Sequence, residues 1–205
     1  MKKPKLRELG EAIRALIKGP YTTKFPKKPS VPAPNFRGII KYDVERCIGC
    51  GACVEVCPAN ARAIEDDIKR KVRKVIHYQE KCIYCGQCVT YCTTQQGIKH
   101  TQEYDLAKLE NKDFENIIEK ELVFCEMCGV VVAPKAQLLW IAHKLGELAY
   151  ANPTLYLTLH AELDTIKTGT DTKTDTAELP YRSQHQRILC VDCRRKAYLN
   201  EIWGY

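Results

Sequence analysis

The sequence predicts an α+β fold built around a duplicated cysteine pattern, with an extended N-terminal arm and a separate C-terminal cysteine module. Three observations carry this. Two runs, Cys47-Ile-Gly-Cys50-Gly-Ala-Cys53-Val-Glu-Val-Cys57-Pro58 and Cys82-Ile-Tyr-Cys85-Gly-Gln-Cys88-Val-Thr-Tyr-Cys92, stand in register at an offset of 35 residues. A strand-like piece precedes each run, and a short helix-like piece follows it. Two Cys-x2-Cys knuckles, Cys125/Cys128 and Cys190/Cys193, lie outside the duplication.

The spacing C-x2-C-x2-C-x3-C-P is the bacterial ferredoxin run, which supplies ligands to [4Fe-4S] clusters. Three thiolates at two-residue gaps wrap one cluster. Gly49, Gly51 and Gly86 let the backbone approach it, because glycine accepts dihedrals that other residues avoid. The fourth cysteine is expected to open the next helix and to serve the other cluster. Cys47, Cys50, Cys53 and Cys92 are therefore expected to hold one cluster, and Cys82, Cys85, Cys88 and Cys57 the other. A disulfide framework would need an oxidising compartment, and no signal peptide pattern is visible. Zinc pairs would leave the three-plus-one spacing unexplained. Thr93 stands after Cys92 where the first run has Pro58. This predicts an altered loop with the cluster retained.

A chain of 205 residues suffices for one domain or two small ones. Its twelve cysteines divide into three quartets with none left over, which points to metal binding. No run of 18 apolar residues occurs, so no membrane span is expected. The net charge of +7 is uneven. Residues 1–41 hold eleven Lys or Arg against two Glu, and the remainder carries −2. A basic arm suits nucleic acid, an anionic membrane face or an acidic partner.

Residues 5–18 read as an amphipathic helix. Leu6, Leu9, Ile13, Leu16 and Ile17 share one face, and Gly19-Pro20 stops it. Such a helix suits a membrane surface or a partner groove. Five prolines keep residues 19–38 extended. Ile39-Ile40-Lys41-Tyr42-Asp43-Val44 reads as a strand. Residues 57–64 read as a helix, Glu65-Asp66-Asp67 as a polar connection, and Val72, Val75, Ile76 and Tyr78 as a strand. Lys69-Arg70-Lys71 and Arg73-Lys74 read as a solvated face in preference to a docking patch. A second helix follows Cys88, and Gly97-Ile98-Lys99-His100 closes the unit. Residues 103–121 read as a polar connector with a broken helical stripe at Leu106, Leu109, Phe114, Ile117, Ile118 and Leu122.

The knuckles Cys125/Cys128 and Cys190/Cys193 make a four-thiolate, zinc-ribbon-like site. The 61 residues between them exceed the usual gap of about 15–20. An insertion explains this, with a helix at 136–150 and a Thr-rich, mobile loop at 165–176. One zinc is the expected occupant, with a single iron as the alternative in the same thiolates. His143, His160 and His185 are read as ordinary histidines because four cysteines are already available.

Further residues narrow the reading. The arm Leu16-Ile17-Lys18-Gly19-Pro20-Tyr21-Thr22-Thr23-Lys24-Phe25-Pro26, then Phe36-Arg37-Gly38, and Tyr104-Asp105-Leu106-Ala107 after the runs, resemble one family. It is the two-cluster ferredoxin subunit of respiratory complex I and of related membrane-bound nickel–iron hydrogenases. The two knuckles look like the formate hydrogenlyase version, and archaeal sulfane reductase complexes are similar assemblies. The resemblance implies a peripheral subunit on the cytoplasmic face of the cell membrane. It implies electron transfer from a donor such as reduced ferredoxin. The electrons pass to a cluster-bearing, hydrogenase-small-subunit-like chain, and a membrane-arm subunit is a second neighbour. Residues 1–38 are then a docking arm, 39–107 the two-cluster ferredoxin domain, and 108–205 a helical connector with the four-cysteine module.

The leading function is thus an electron-relay subunit of an oxidoreductase complex, not an enzyme by itself. No nucleophile–base set, phosphate loop or paired-carboxylate motif is recognisable. A free soluble ferredoxin-type carrier is the alternative, and it predicts a dispensable arm. A nucleic-acid protein would need aromatics interleaved on a basic face, which the sequence lacks, so no nucleic-acid partner is expected.

Overall fold

The computed structural model describes residues 5–22, 24–107, 114–163 and 186–203. They fall into two units, Met1–Phe36 and Arg37–Tyr205.

In the first unit, helix α1 spans Leu6–Lys18, as its apolar spacing predicts. The Glu8 carboxylate accepts from the Lys5 N–H at 3.1 Å, closing the first turn. Glu11 pairs with Arg14 at 2.7 Å one turn apart. Gly19, at φ 72°, returns its N–H to the Ala15 carbonyl and ends the helix. The apolar stripe is bare: Leu6, Leu16 and Ile17 are 87%, 84% and 80% exposed. The described proline-rich residues that follow form turns without helix or strand, since proline lacks the N–H that a ladder needs.

The second unit holds two antiparallel sheets. In the smaller, β1 (Ile40–Tyr42) pairs with β4 (Ile98–His100), Ile40 opposite His100 and Tyr42 opposite Ile98. Gly38 continues this pairing by donating to the Thr101 carbonyl at 3.0 Å. A Cβ there would lie 2.2 Å from the Glu103 carbonyl oxygen, so only glycine fits. The larger sheet runs β2 (Arg62–Asp67), β3 (Val72–Tyr78), β5 (Glu115–Phe124), β6 (Val131–Pro134).

Short helices α2 (Ala52–Glu55) and α3 (Gln87–Thr90) follow left-handed glycines, Gly51 at φ 84° and Gly86 at φ 82°. The duplication therefore extends to the backbone. Gly49 and Tyr84 are both left-handed, as are Asn60 and Gln95, each pair 35 residues apart. Ile40, Cys88 and Ile98 are buried together, with Tyr42, Cys53, Cys82, Tyr84, Val89 and Cys92 packed on them.

Four sequence expectations are corrected. The helices contain the third cysteine of each run and end before the fourth, so Cys57 and Cys92 do not open helices. Residues 57–64 are not a helix. Pro58 disfavours helical backbone at Cys57, and from Arg62 the chain pairs with β3, placing Ile64 opposite Val75. Glu65-Asp66-Asp67 is the end of β2 and not a connection, with Asp66 opposite Arg73. Finally, the last part of the 103–121 connector, from Glu115, and its continuation to Phe124 form β5, whose Ile118 and Leu122 are buried. An i, i+4 apolar pair satisfies both the helical and the two-residue period, and the open edge of β3 decides for strand. Leu109 lies outside the described residues.

The basic run at 69–74 forms cross-strand pairs. Arg70 grips Glu119 through two bonds of 3.0 Å, and Arg73 grips Asp66 at 2.7 and 2.8 Å. Helix α4 covers Lys135–Leu145, shorter than the expected 136–150. A 3-10 turn continues to Ala151, and α5 (Pro153–Glu162) follows, capped by Asn152. Leu138, Ala142, Ala149 and Leu155 bury one another there. Helix α6 (Val191–Trp203) ends the chain's described part. The loop expected at 165–176 lies outside the described residues. Among those residues no helix is long and apolar enough to cross a membrane.

Ile118 packs opposite Val75, and the two are 4% and 1% exposed. Ile118→Ala should cost about 2–5 kcal/mol. A denaturant midpoint that drops while iron content holds would match this, and an unchanged midpoint would contradict it.

Candidate iron–sulfur and metal centres

The left-handed turns at Gly51 and Gly86 fold each cysteine loop back on itself. A Cβ at Gly51 would sit 2.5 Å from Ile64 Cδ1, so the loop lies tight against β2. Two cavities result. One is lined by Cys47, Cys50, Cys53 and Cys92, with Tyr42 and Val75 in its wall. The other is lined by Cys57, Cys82, Cys85 and Cys88, with Ile40 and Arg62 in its wall. The last cysteine of each run thus borders the cavity of the other run.

The walls are largely apolar, and backbone donors are turned to sulfur. The Ala61 N–H donates to Cys57 Sγ at 3.3 Å, and the Tyr84 N–H to Cys82 Sγ at 3.4 Å. Thr93, which replaces the proline of the first run, brings its Oγ1 within 3.2 Å of Cys50 Sγ. Thr94 Oγ1 lies 3.5 Å from Cys92 Sγ. Four soft thiolates per cavity, with amide and hydroxyl donors on sulfur, fit iron–sulfur ligation. Burial pushes the Cys53 thiol up to about 11 against the opposing charge of Arg62.

Sequence reasoning missed the groups between the cavities. Arg62 opens β2 and is 5% exposed. Its Nη1 donates to the Tyr42 hydroxyl at 2.5 Å, and its Cζ stands 5.2 Å from the Tyr42 ring centre. Nη2 is buried without a hydrogen-bond partner among the described residues. His77 faces Arg62 across the ladder and is fully buried. Burial, then the Arg62 charge, lowers it to about 4 and keeps it neutral. The one sequence signal for Arg62 was a charged residue inside the apolar run Ala61-Arg62-Ala63-Ile64.

The third quartet has a different geometry. The Sγ atoms of Cys125, Cys128, Cys190 and Cys193 all lie within 4.8 Å of one another. Among the described residues no other group of three or more such ligand atoms is this tight. Cys128 and Cys190 Sγ are 3.7 Å apart. Four thiolates about 2.3 Å from one ion have tetrahedral edges of about 3.8 Å. The site therefore fits a single ion.

Its knuckles come from a tight turn and a helix start. Gly129, at φ 73°, donates to the Cys125 carbonyl at 2.9 Å. Cys193 sits in the first turn of α6, and its N–H points at Cys190 Sγ, 3.5 Å away. Burial raises the Cys125 thiol, but N–H groups at Cys190, Cys128 and Met127 outweigh this and bring it to about 7. Leu189 and Ala197 bury the site from behind. Arg194 is tied inward, donating from Nη2 to Thr154 Oγ1 at 2.7 Å and to the Arg187 carbonyl at 2.8 Å. His143 and His160 do not join the quartet. The His160 ring lies against Tyr156 in a tilted arrangement, with ring centres 4.1 Å apart, and His185 lies outside the described residues.

Residues 46–96 match the 4Fe-4S dicluster domain family. The chain is 39% identical over 118 residues to formate hydrogenlyase subunit 6 of Escherichia coli (strain K12). That match covers 57% of this chain and 65% of the relative, just under two thirds of its length. Over 61 residues it is 39% identical to NAD(P)H-quinone oxidoreductase subunit I of Nostoc sp., covering 29% of this chain and 31% of that one. A chain of the membrane-bound sulfane sulfur reductase, an archaeal respiratory membrane complex, aligns with a TM-score of 0.41 and 29% identity. That alignment covers 56% of this chain and 61% of the other. The chain therefore carries a ferredoxin-like iron–sulfur region of the 4Fe-4S dicluster type and is similar, over parts of their length, to subunits of formate hydrogenlyase and NAD(P)H-quinone oxidoreductase.

Proposed function

We propose that this chain is an electron-relay subunit of a membrane-bound, hydrogenase- or complex I-like respiratory complex, with chemistry carried out on a partner. The observation that carries this is the pair of four-cysteine cavities, each completed by the last cysteine of the opposite run. Cys47, Cys50, Cys53 and Cys92 hold one [4Fe-4S] cluster, and Cys82, Cys85, Cys88 and Cys57 hold the second. Each cluster, when bound, supplies one-electron redox capacity at a potential set by charge, sulfur hydrogen bonds and exposure. The protein contributes apolar walls, donors on sulfur and fixed spacing.

The similarity to formate hydrogenlyase subunit 6 supports the setting. Reduced ferredoxin is the proposed donor and a hydrogenase-small-subunit-like chain the acceptor. The subunit sits peripherally on the cytoplasmic face. The bare apolar stripe and basic flank of α1 supply the contact with a membrane-arm subunit. The chain then divides functionally into an arm at 1–38, a two-cluster ferredoxin domain at 39–107 and a zinc-ribbon-like segment at 108–205. Cys125, Cys128, Cys190 and Cys193 hold one zinc, whose closed thiolate shell leaves no open position for chemistry.

Anaerobically purified protein should contain about eight iron and eight acid-labile sulfides per chain and one zinc. Its reduced EPR spectrum should show two interacting clusters. About nine iron without zinc would make the C-terminal centre a single iron, and little iron would reject electron transfer. Cys125→Ser should lose the zinc while keeping all cluster iron; a parallel loss of cluster iron would refute separate sites. Deleting residues 1–18 should move the protein from membranes to the soluble fraction at unchanged iron content. Full retention on membranes would instead remove the arm from docking.

A further inference from the structure

The strongest unexplained feature is a buried cation between the two cysteine cavities. Arg62 is 5% exposed, and no carboxylate pairs with it among the described residues. A buried arginine without a carboxylate is costly unless other negative charge offsets it. The negative groups around it are thiolates. Its charge acts on Cys53 of the first quartet and on Cys82 and Cys88 of the second. Other cations act on one side alone: Lys120 on Cys47 and Arg73 on Cys50, both in the first quartet. Arg62 itself borders the second cavity, while its hydrogen-bond partner Tyr42 borders the first.

We propose that Arg62 is a positioning residue for charge: its guanidinium sets the reduction potentials of both cysteine-held clusters together. This rests on the two-cluster reading above. Reduction adds one negative charge to a site, and a fixed cation nearby favours the reduced state. Burial keeps salt from screening it, and an arginine stays protonated throughout the accessible pH range. The Tyr42 hydroxyl and ring hold the guanidinium in place. The unpartnered Nη2 leaves one more donor for a sulfur-rich neighbour. Neutral His77 closes the other side without adding a second charge. One cation acting on two sites raises both potentials in step. A shift common to both leaves the potential difference between them unchanged, so both become easier to reduce without altering the step from one to the other.

The test is an EPR-monitored redox titration of the full chain, purified anaerobically, alongside iron and sulfide analysis. Arg62→Gln removes the charge, and Arg62→Met is the second neutral variant should the first lose iron. At full iron and sulfide content, both midpoints should become more negative. Each one-electron reduction equilibrium should fall at least tenfold, which is 59 mV per cluster. Arg62→Lys should restore both to within a few-fold of the parent. Two unchanged midpoints, or a shift in one cluster alone, would overturn the proposal. So would loss of iron from both neutral variants, which would make Arg62 a purely structural residue. Little iron in the parent protein would instead reject the two-cluster reading itself.

Discussion

Cys57 and Cys92 each close the cavity begun by the opposite cysteine run, and the rest of the second unit is arranged around that exchange. Exchange requires the two loops to lie side by side. The β1–β4 pair brings the start of the first half against the end of the second. Ile40 and Ile98 fill the space between them together with Cys88. Both loops reverse at left-handed glycines, and Tyr84 adopts the same handedness that Gly49 has in the first copy. A bulky residue reaches that backbone region only where its surroundings demand it. The same loop shape is thus kept in both copies although only the first has glycine at that position.

Gathering eight thiolates in one small region creates an electrostatic problem. Apolar walls raise the cost of each negative charge, as the raised Cys53 thiol shows. The structure meets this with one buried guanidinium, Tyr42 beneath it, and amide or hydroxyl donors on Cys57, Cys82 and Cys50. The more exposed charges are handled differently. Arg70, Arg73, Glu119 and Asp66 neutralise one another across the larger sheet, which leaves its hairpin without a free basic patch from those two arginines.

The third quartet depends on none of this. Its sulfurs are close enough for one ion, and its backing comes from Leu189 and Ala197 of its own core. Yet it is not detached from the cysteine cavities. β5 pairs with β3 on one edge and β6 on the other, and Cys125 follows β5 directly. The ladder that backs the cavities thus also holds the first knuckle in place. Arg194 fixes the second knuckle by bonding to α5. The cysteine sets stay separate in space, while packing runs through a shared sheet.

Much of the candidate site was legible because its information is local. Cysteine spacing is a property of short loops, so the three quartets could be read directly, and glycines at fixed offsets marked the reversals. Helix α1 was legible for the same reason: a 3.6-residue stripe over thirteen residues has one reading. What the sequence could not decide was everything settled by a distant partner. Ile118 and Leu122 suit a helix or a strand until the edge of β3 is offered to them. Ala61 to Ile64 reads as a helix until Val75 lies opposite Ile64. Arg62 is enclosed by Tyr42 and His77, which lie 20 and 15 residues away in the chain. Local spacing determined which atoms can bind metal, and tertiary pairing decided how they are held and which charges they face, because strand partners and buried electrostatics come from residues far apart in the chain.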